Sequence, residues 1–236
     1  MLLQTIKFIT DPLFDFIYPP VCFTCEQMLD GNLDKICPEC HSQLKALDES
    51  FPVWNELRKK FSNSGTIDDF TSCYLFEKDG KLQQAIHLLK YQGMHTIGSA
   101  FGREIGQKIR NQHPFNKTNY IIPVPLHKLK LRERGYNQSI FIGKGLSEIT
   151  GIRFHASLLH RIRYTESQTK LDIDRRKDNV SDAFELNPKF NTIIGGKSFI
   201  IVDDIITTGS TISECGRILK RHGASSVYAA SIGLAE

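Results

Sequence analysis

From Ser72 onwards the apolar positions switch between two periods. Ser72 to Glu77 and Tyr120 to Val124 are short runs of strand type, and Ser198 to Val202 and Ser226 to Leu234 are continuous enough to be strands buried in a sheet. Between them the spacing becomes helical. Lys81 to Tyr91 follows the turn signal Asp79-Gly80 and puts Leu82, Ala85, Ile86 and Leu89 on one face. Thr96 to Gln112, Asn137 to Thr150 and Thr211 to His222 read as further helices, with Gly151 and Gly223 ending the last two. Strands alternating with helices predict right-handed crossovers and an α/β fold with a mostly parallel sheet. Between Glu49 and Asp69 the chain is polar, with Pro52 and Gly65, and is expected to be a connector or loop.

The chemistry gathers behind the strand Phe199 to Val202. Asp203 and Asp204 follow it, then Ile205-Ile206, then Thr207-Thr208-Gly209-Ser210-Thr211 at the start of a helix. Ligands of open α/β sheets bind at the carboxyl ends of strands. Backbone N–H groups at a helix start favour an anion, and the dipole reinforces them. Gly209 allows a tight turn, and the hydroxyls of Thr207, Thr208, Ser210 and Thr211 add donors. A phosphate monoester fits this loop. Two acids beside an anion make sense if they accept hydrogen bonds from a group attached to it, such as ribose hydroxyls. A lone Thr-Thr-Gly would be explained by a turn and a helix cap; the whole unit points to ribose 5-phosphate.

Cys22-x₂-Cys25 and Cys37-x₂-Cys40 have the spacing of a small four-cysteine zinc knuckle or ribbon, a closed structural site; redox pairs or buried thiols are the alternative. Cys73 and Cys215 fall in strand and helix patterns and read as core. Apolar residues make up 40% of the 236 and charged residues 24%, ordinary for a globular protein, and a net charge of +4 does not by itself announce a nucleic-acid binder. There is no apolar run of roughly eighteen residues, so no membrane span is expected. Met1 to Pro20 is interrupted by Lys7, Asp11 and Asp15, so a secretory signal is not expected and the protein is placed in the reducing cytoplasm.

The acid pair and Thr/Gly loop resemble the phosphoribosyl pyrophosphate (PRPP) motif of type I phosphoribosyltransferases. Taken in order with the two Cys-x₂-Cys pairs, Leu89-Lys90-Tyr91, Pro123-Val124-Pro125-Leu126, Arg132-Glu133-Arg134-Gly135-Tyr136-Asn137-Gln138-Ser139, Leu159-His160-Arg161, Gln168, Arg175 and Asn179, they resemble the ComF family over nearly the whole chain. The resemblance implies a sheet of the type I phosphoribosyltransferase kind over residues 51–236, behind an N-terminal helix and zinc head over 1–50. It implies PRPP as ligand with Mg²⁺, Lys90 among the ligand contacts, and a role in DNA uptake during natural transformation. It also implies a pyrophosphate loop at Val124 to His127, where Pro125 is either cis or a plain strand exit, and a lid over His160 to Asn179.

Between Leu126 and Asn179 twelve Lys/Arg stand against six acids, which concentrates positive charge beside the anion site. Arg134 and Arg161 are the candidates for pyrophosphate, since a guanidinium forks onto phosphate oxygens. A solvated face or a nucleic-acid backbone would use the same charge. If chemistry occurs, it is displacement at the anomeric carbon with loss of pyrophosphate, Asp203 and Asp204 favouring the cationic sugar. The alternative is a non-catalytic PRPP sensor or scaffold for single-stranded DNA or a helicase-type competence protein. No motif names an acceptor.

Overall fold

The computed structural model describes residues 21–29, 36–164 and 182–235. The expected N-terminal helix and most of the expected lid, with Gln168, Arg175 and Asn179, lie outside the described residues.

Cys37 precedes the short helix α1 (Pro38–Ser42), started by its proline. The expected connector is instead helix α2 (Pro52–Ser64), which buries Val53, Trp54, Leu57 and Phe61. Its punctuation follows rule: Pro52 stands in the first turn and Gly65 closes the end at φ 61°. Its polar majority hides a narrow apolar stripe. Then come strand β1 (Asp69–Phe76), helix α3 (Lys81–Tyr91), helix α4 (His95–Ile109) and strand β2 (Tyr120–Pro123). Helix α5 (Lys128–Arg134) follows, then α6 (Gln138–Thr150), with Asn137 as N-cap and Gly151 left-handed at its end. Strands β3 (Arg153–Phe154), β4 (Leu159–Arg161) and β5 (Phe184–Leu186) are short. The chain ends in β6 (Ser198–Ile206), α7 (Ser210–Arg221) and β7 (Ser226–Ala235).

The main sheet is parallel throughout, in the order β1-β7-β6-β2-β3, and β4 pairs antiparallel with β5 beside it. β6 is central. Its residues alternate between two apolar layers: Phe199 and Ile201 pack with α2 and α7, Ile200 and Val202 with α3, α4 and α6. The strand runs past the expected Val202, so both acids belong to it, with Val202 opposite Pro123 of β2 and Ala230 of β7. α4 and α6 touch backbone to backbone. A Cβ on Gly102 would lie 2.1 Å from the Ile142 carbonyl oxygen, and one on Gly145 would lie 2.2 Å from that of Ser99.

Candidate functional site

The acid pair sits on β6 just past the last residue paired with β2, while the pairing with β7 continues to Ile206. Asp203 Oδ1 accepts the Ser139 hydroxyl at 3.1 Å and the Asp204 amide at 2.9 Å. Asp204 is buried, 5% exposed, and forms an ion pair with Lys90 at the end of α3. These partners set the two charges apart. Burial pushes the Asp203 carboxyl up, to about 8, and the neighbouring Asp204 charge adds to it. Burial would raise Asp204 too, but the Lys90 ammonium outweighs it and holds that carboxyl below its ordinary value. Lys90 is itself held above its usual range, because Asp204 outweighs the cost of its burial. The pair therefore carries one firm negative charge, already matched by a lysine.

The loop after β6 has the geometry of an anion cradle. Gly209 is left-handed, φ 69°, and is the N-cap of α7 without a side-chain capping bond. Thr207 is exposed, and Thr208, Ser210 and Thr211 are partly exposed. The Thr208 and Ser210 hydroxyls lie 3.0 Å apart, on one side of the loop. The Ser210 amide also donates to the Thr208 hydroxyl, at 3.4 Å, and the helix start adds the positive end of its dipole.

Three side chains of the Arg-Gly-Tyr-Asn-Gln-Ser segment tie the surrounding pieces together. Tyr136 donates its hydroxyl hydrogen to the carbonyl of Leu89, next to Lys90. Asn137 donates to the Val124 carbonyl at 2.9 Å and accepts the Ser139 amide at 3.1 Å. Ser139 holds Asp203. Arg134 bonds Gln138 at 3.3 Å and lies 5.2 Å from the Tyr91 ring centre. Arg161 lies 5.2 Å from the Phe184 ring centre, and burial lowers its guanidinium from its ordinary value.

Lys90, Arg134 and Arg161 all act on Lys130, whose ammonium is pushed below its ordinary pKa by burial and then by these cations. The sequence-expected basic residues are thus gathered into one field, and Lys130 joins them. It is hidden in a run of alternating Lys and Leu, where no single lysine stands out. Among the described residues the only cis peptide bond precedes Pro114, so the Val124–Pro125 bond is trans. His127 Nδ1 accepts the Leu129 amide at 3.3 Å and so caps α5.

The four cysteines form a separate cluster, all sulfurs within 4.8 Å of one another. The Sγ atoms of Cys25 and Cys37 are 3.6 Å apart, close to the spacing of about 3.8 Å that tetrahedral Zn–S bonds of about 2.3 Å require. Backbone amides of Cys37 and Thr24 point at Cys22 Sγ at 3.3 and 3.5 Å, and that of Cys40 at Cys37 Sγ at 3.4 Å. Burial alone would raise the Cys22 thiol; the amides of Cys37, Cys25 and Thr24 outweigh it and bring it down to about 6. The cluster can hold a tetrahedral ion.

A model of the phosphoribosyl transferase domain matches residues 151–233, the segment containing β6, the loop and α7. A "DNA utilization protein YhgH" of Escherichia coli O6:H1 is 30% identical over 213 residues, covering 88% of this chain and 87% of its own. "Competence protein F" of Haemophilus influenzae is 26% identical over 214 residues, 87% of this chain and 93% of its own. "Competence protein ComFC" of Bacillus subtilis is 24% identical over 205 residues, 86% and 79%.

The chain belongs to the ComF family. In this ComF protein the domain match begins after the Arg-Gly-Tyr-Asn-Gln-Ser segment, Lys90 and the four clustered cysteines, yet the fold brings the first two to the acid pair. What the sequence does not announce is the division of labour in that segment: Arg134 bonds Gln138 and lies over Tyr91, while Tyr136, Asn137 and Ser139 hold parts distant in the chain. Their partners lie 13 to 64 residues away in the chain, beyond any local pattern. No helix among the described residues is long and apolar enough to cross a membrane.

Proposed function

We propose that this ComF protein binds PRPP, with the 5′-phosphate on residues 207–211 and the ribose hydroxyls on Asp203 and Asp204. The observation that carries the reading is the junction of β6 with α7: two carboxylates near the strand's end, then a left-handed glycine as the N-cap of a helix. Lys90, Lys130, Arg134 and Arg161 supply the positive field for the diphosphate. Both carboxylates already have partners, so Mg²⁺ fits as an ion carried by the diphosphate oxygens, where it would neutralise leaving-group charge. As Asp204 remains ionised, it favours positive charge developing at the anomeric carbon more than it favours the neutral sugar.

The names of the relatives, competence proteins and a DNA utilization protein, support a role in DNA uptake. Zinc is the ion proposed for the four cysteines, as a structural cofactor. A second reading, a PRPP-responsive module that contacts single-stranded DNA or a helicase-type partner, is favoured by α5, which buries none of its residues and exposes Leu129 and Leu131 among four cations. The test is titration calorimetry with PRPP and Mg²⁺ on the wild type and on Asp203→Ala/Asp204→Ala. Binding by the wild type and its loss in the double variant are expected; equal affinity rejects the site. Pyrophosphate release with candidate acceptors separates enzyme from module, since the second reading requires salt-sensitive DNA binding without turnover.

A further inference from the structure

Helix α2 lies outside the segment matched by the phosphoribosyl transferase model, yet it forms the floor of the phosphate loop. Lys60 Nζ donates to the main-chain carbonyl of Thr208, 148 residues away. Leu57, about one turn before that lysine, and Phe61, the residue after it, cover the inner face of Gly209: a Cβ there would lie 2.8 Å from Leu57 Cδ1 and 2.9 Å from Phe61 Cε1. The same two side chains share an apolar cluster with Ile206 and Ile212, which bracket the loop.

We infer that Lys60 is a positioning residue for the phosphate loop, an inference that rests on the phosphate reading of residues 207–211. The argument is one of peptide geometry. In a planar trans unit the C=O and the following N–H point in opposite directions. With the Thr208 carbonyl held towards α2 by Lys60, the amide of Gly209 is turned away from α2, to the loop's other side. Without the lysine, that carbonyl would face Leu57 and Phe61 with no donor, which favours rotation of the unit towards water. The lysine also places a fixed positive charge behind the loop, so it supports an anion without occupying the anion's place.

The test compares Lys60→Met and Lys60→Arg with the wild type. Hydrogen exchange of residues 206–212 is followed without ligand, and affinities are measured for ribose 5-phosphate and inorganic pyrophosphate. Lys60→Met is expected to exchange faster in this segment. It should lose about tenfold in ribose 5-phosphate affinity, the effect of one charge-assisted hydrogen bond. Its pyrophosphate affinity should stay within about twofold, because that group is assigned to Lys90, Lys130, Arg134 and Arg161, not to the loop. Lys60→Arg should restore both readouts, and thermal unfolding shows whether each variant is folded. Unchanged exchange in Lys60→Met overturns the inference, as does equal loss of both ligands. A wild type that binds neither ligand, while exchange still responds to Lys60, defeats the phosphate reading and leaves the loop-positioning role standing.

Discussion

Ser139 and Asp203 stand 64 residues apart and meet at 3.1 Å, the hydroxyl in the first turn of α6 donating to the carboxylate on β6. Ser139 is 1% exposed, so no water can easily replace it. Replacing it by alanine leaves Asp203 Oδ1 with the Asp204 amide alone. Ser139→Ala is expected to cost about 1 kcal/mol of stability, one buried hydrogen bond. It should weaken PRPP binding several-fold, as calorimetry and urea unfolding on the same sample would show. Wild-type affinity in a folded variant would mean that Asp203 does not need this anchor.

The two acids are not equivalent, and their amide variants should show it. Asp204→Asn strands the Lys90 ammonium, whose side chain is 24% exposed, and is expected to destabilise by about 3 kcal/mol. Asp203→Asn resembles the protonated acid that burial favours and should cost under about 1 kcal/mol. Chemical unfolding of both at neutral pH decides the order; the reverse order would contradict the charge assignment.

Asp203 also gives a pH signature. Its folded value lies near 8, against 3.8 ordinarily, so between those limits the folded state holds a proton that the unfolded chain releases. The stability this supplies is complete below about 4 and is lost as pH rises towards about 8. The Asp204–Lys90 pair has the opposite sign: Asp204 is held below its ordinary value, so its contribution is present above about 4 and lost in acid. Unfolding free energies at pH 5 and pH 8 should therefore fall more steeply for the wild type than for Asp203→Asn. Parallel profiles would show that Asp203 ionises normally.

The seam between α4 and α6 predicts a packing effect far from the acids. Gly102→Ala drives a methyl group against the Ile142 carbonyl oxygen, 2.1 Å away, and should destabilise by about 2 kcal/mol or more. Gly195→Ala, with nothing within 4 Å, is the neutral control. Thermal melts of the two variants, differing by several degrees, would confirm the contact.

The four-cysteine cluster calls for one zinc per chain by metal analysis, with loss of metal in Cys22→Ser. The head is tied to β1 by Leu47 N–H to the Cys73 carbonyl and Leu75 N–H to the Lys45 carbonyl, both at 2.9 Å. Chelation is therefore expected to lower the melting temperature of the whole chain. Full stability without metal would show that these thiols are merely packed.

The core of the fold is legible because burial imposes period on sequence. Lys81–Tyr91 has its apolar residues on one face and forms the helix so predicted, and Gly151 ends α6 where a left-handed residue is needed. α2 resembles a connector in the sequence because only Val53, Trp54, Leu57 and Phe61 carry its stripe, among two lysines, an arginine, a glutamate, two asparagines and two serines. The apolar pattern ends β6 too early because acids normally end a buried strand; Asp203 and Asp204 continue it on the strength of Ser139 and Lys90. At the site, Asp203, Asp204 and residues 207–211 can be singled out because they are contiguous. Lys60, Lys130, Tyr136, Asn137 and Ser139 act only through tertiary approach, and no spacing along the chain announces that.

The most direct measurement is a crystal structure of the protein with ribose 5-phosphate. Phosphate oxygens on the amides of residues 207–211, with sugar hydroxyls within about 3 Å of Asp203 and Asp204, are the expected result. A ligand bound elsewhere, or a loop that holds none at saturating concentration, would contradict the account.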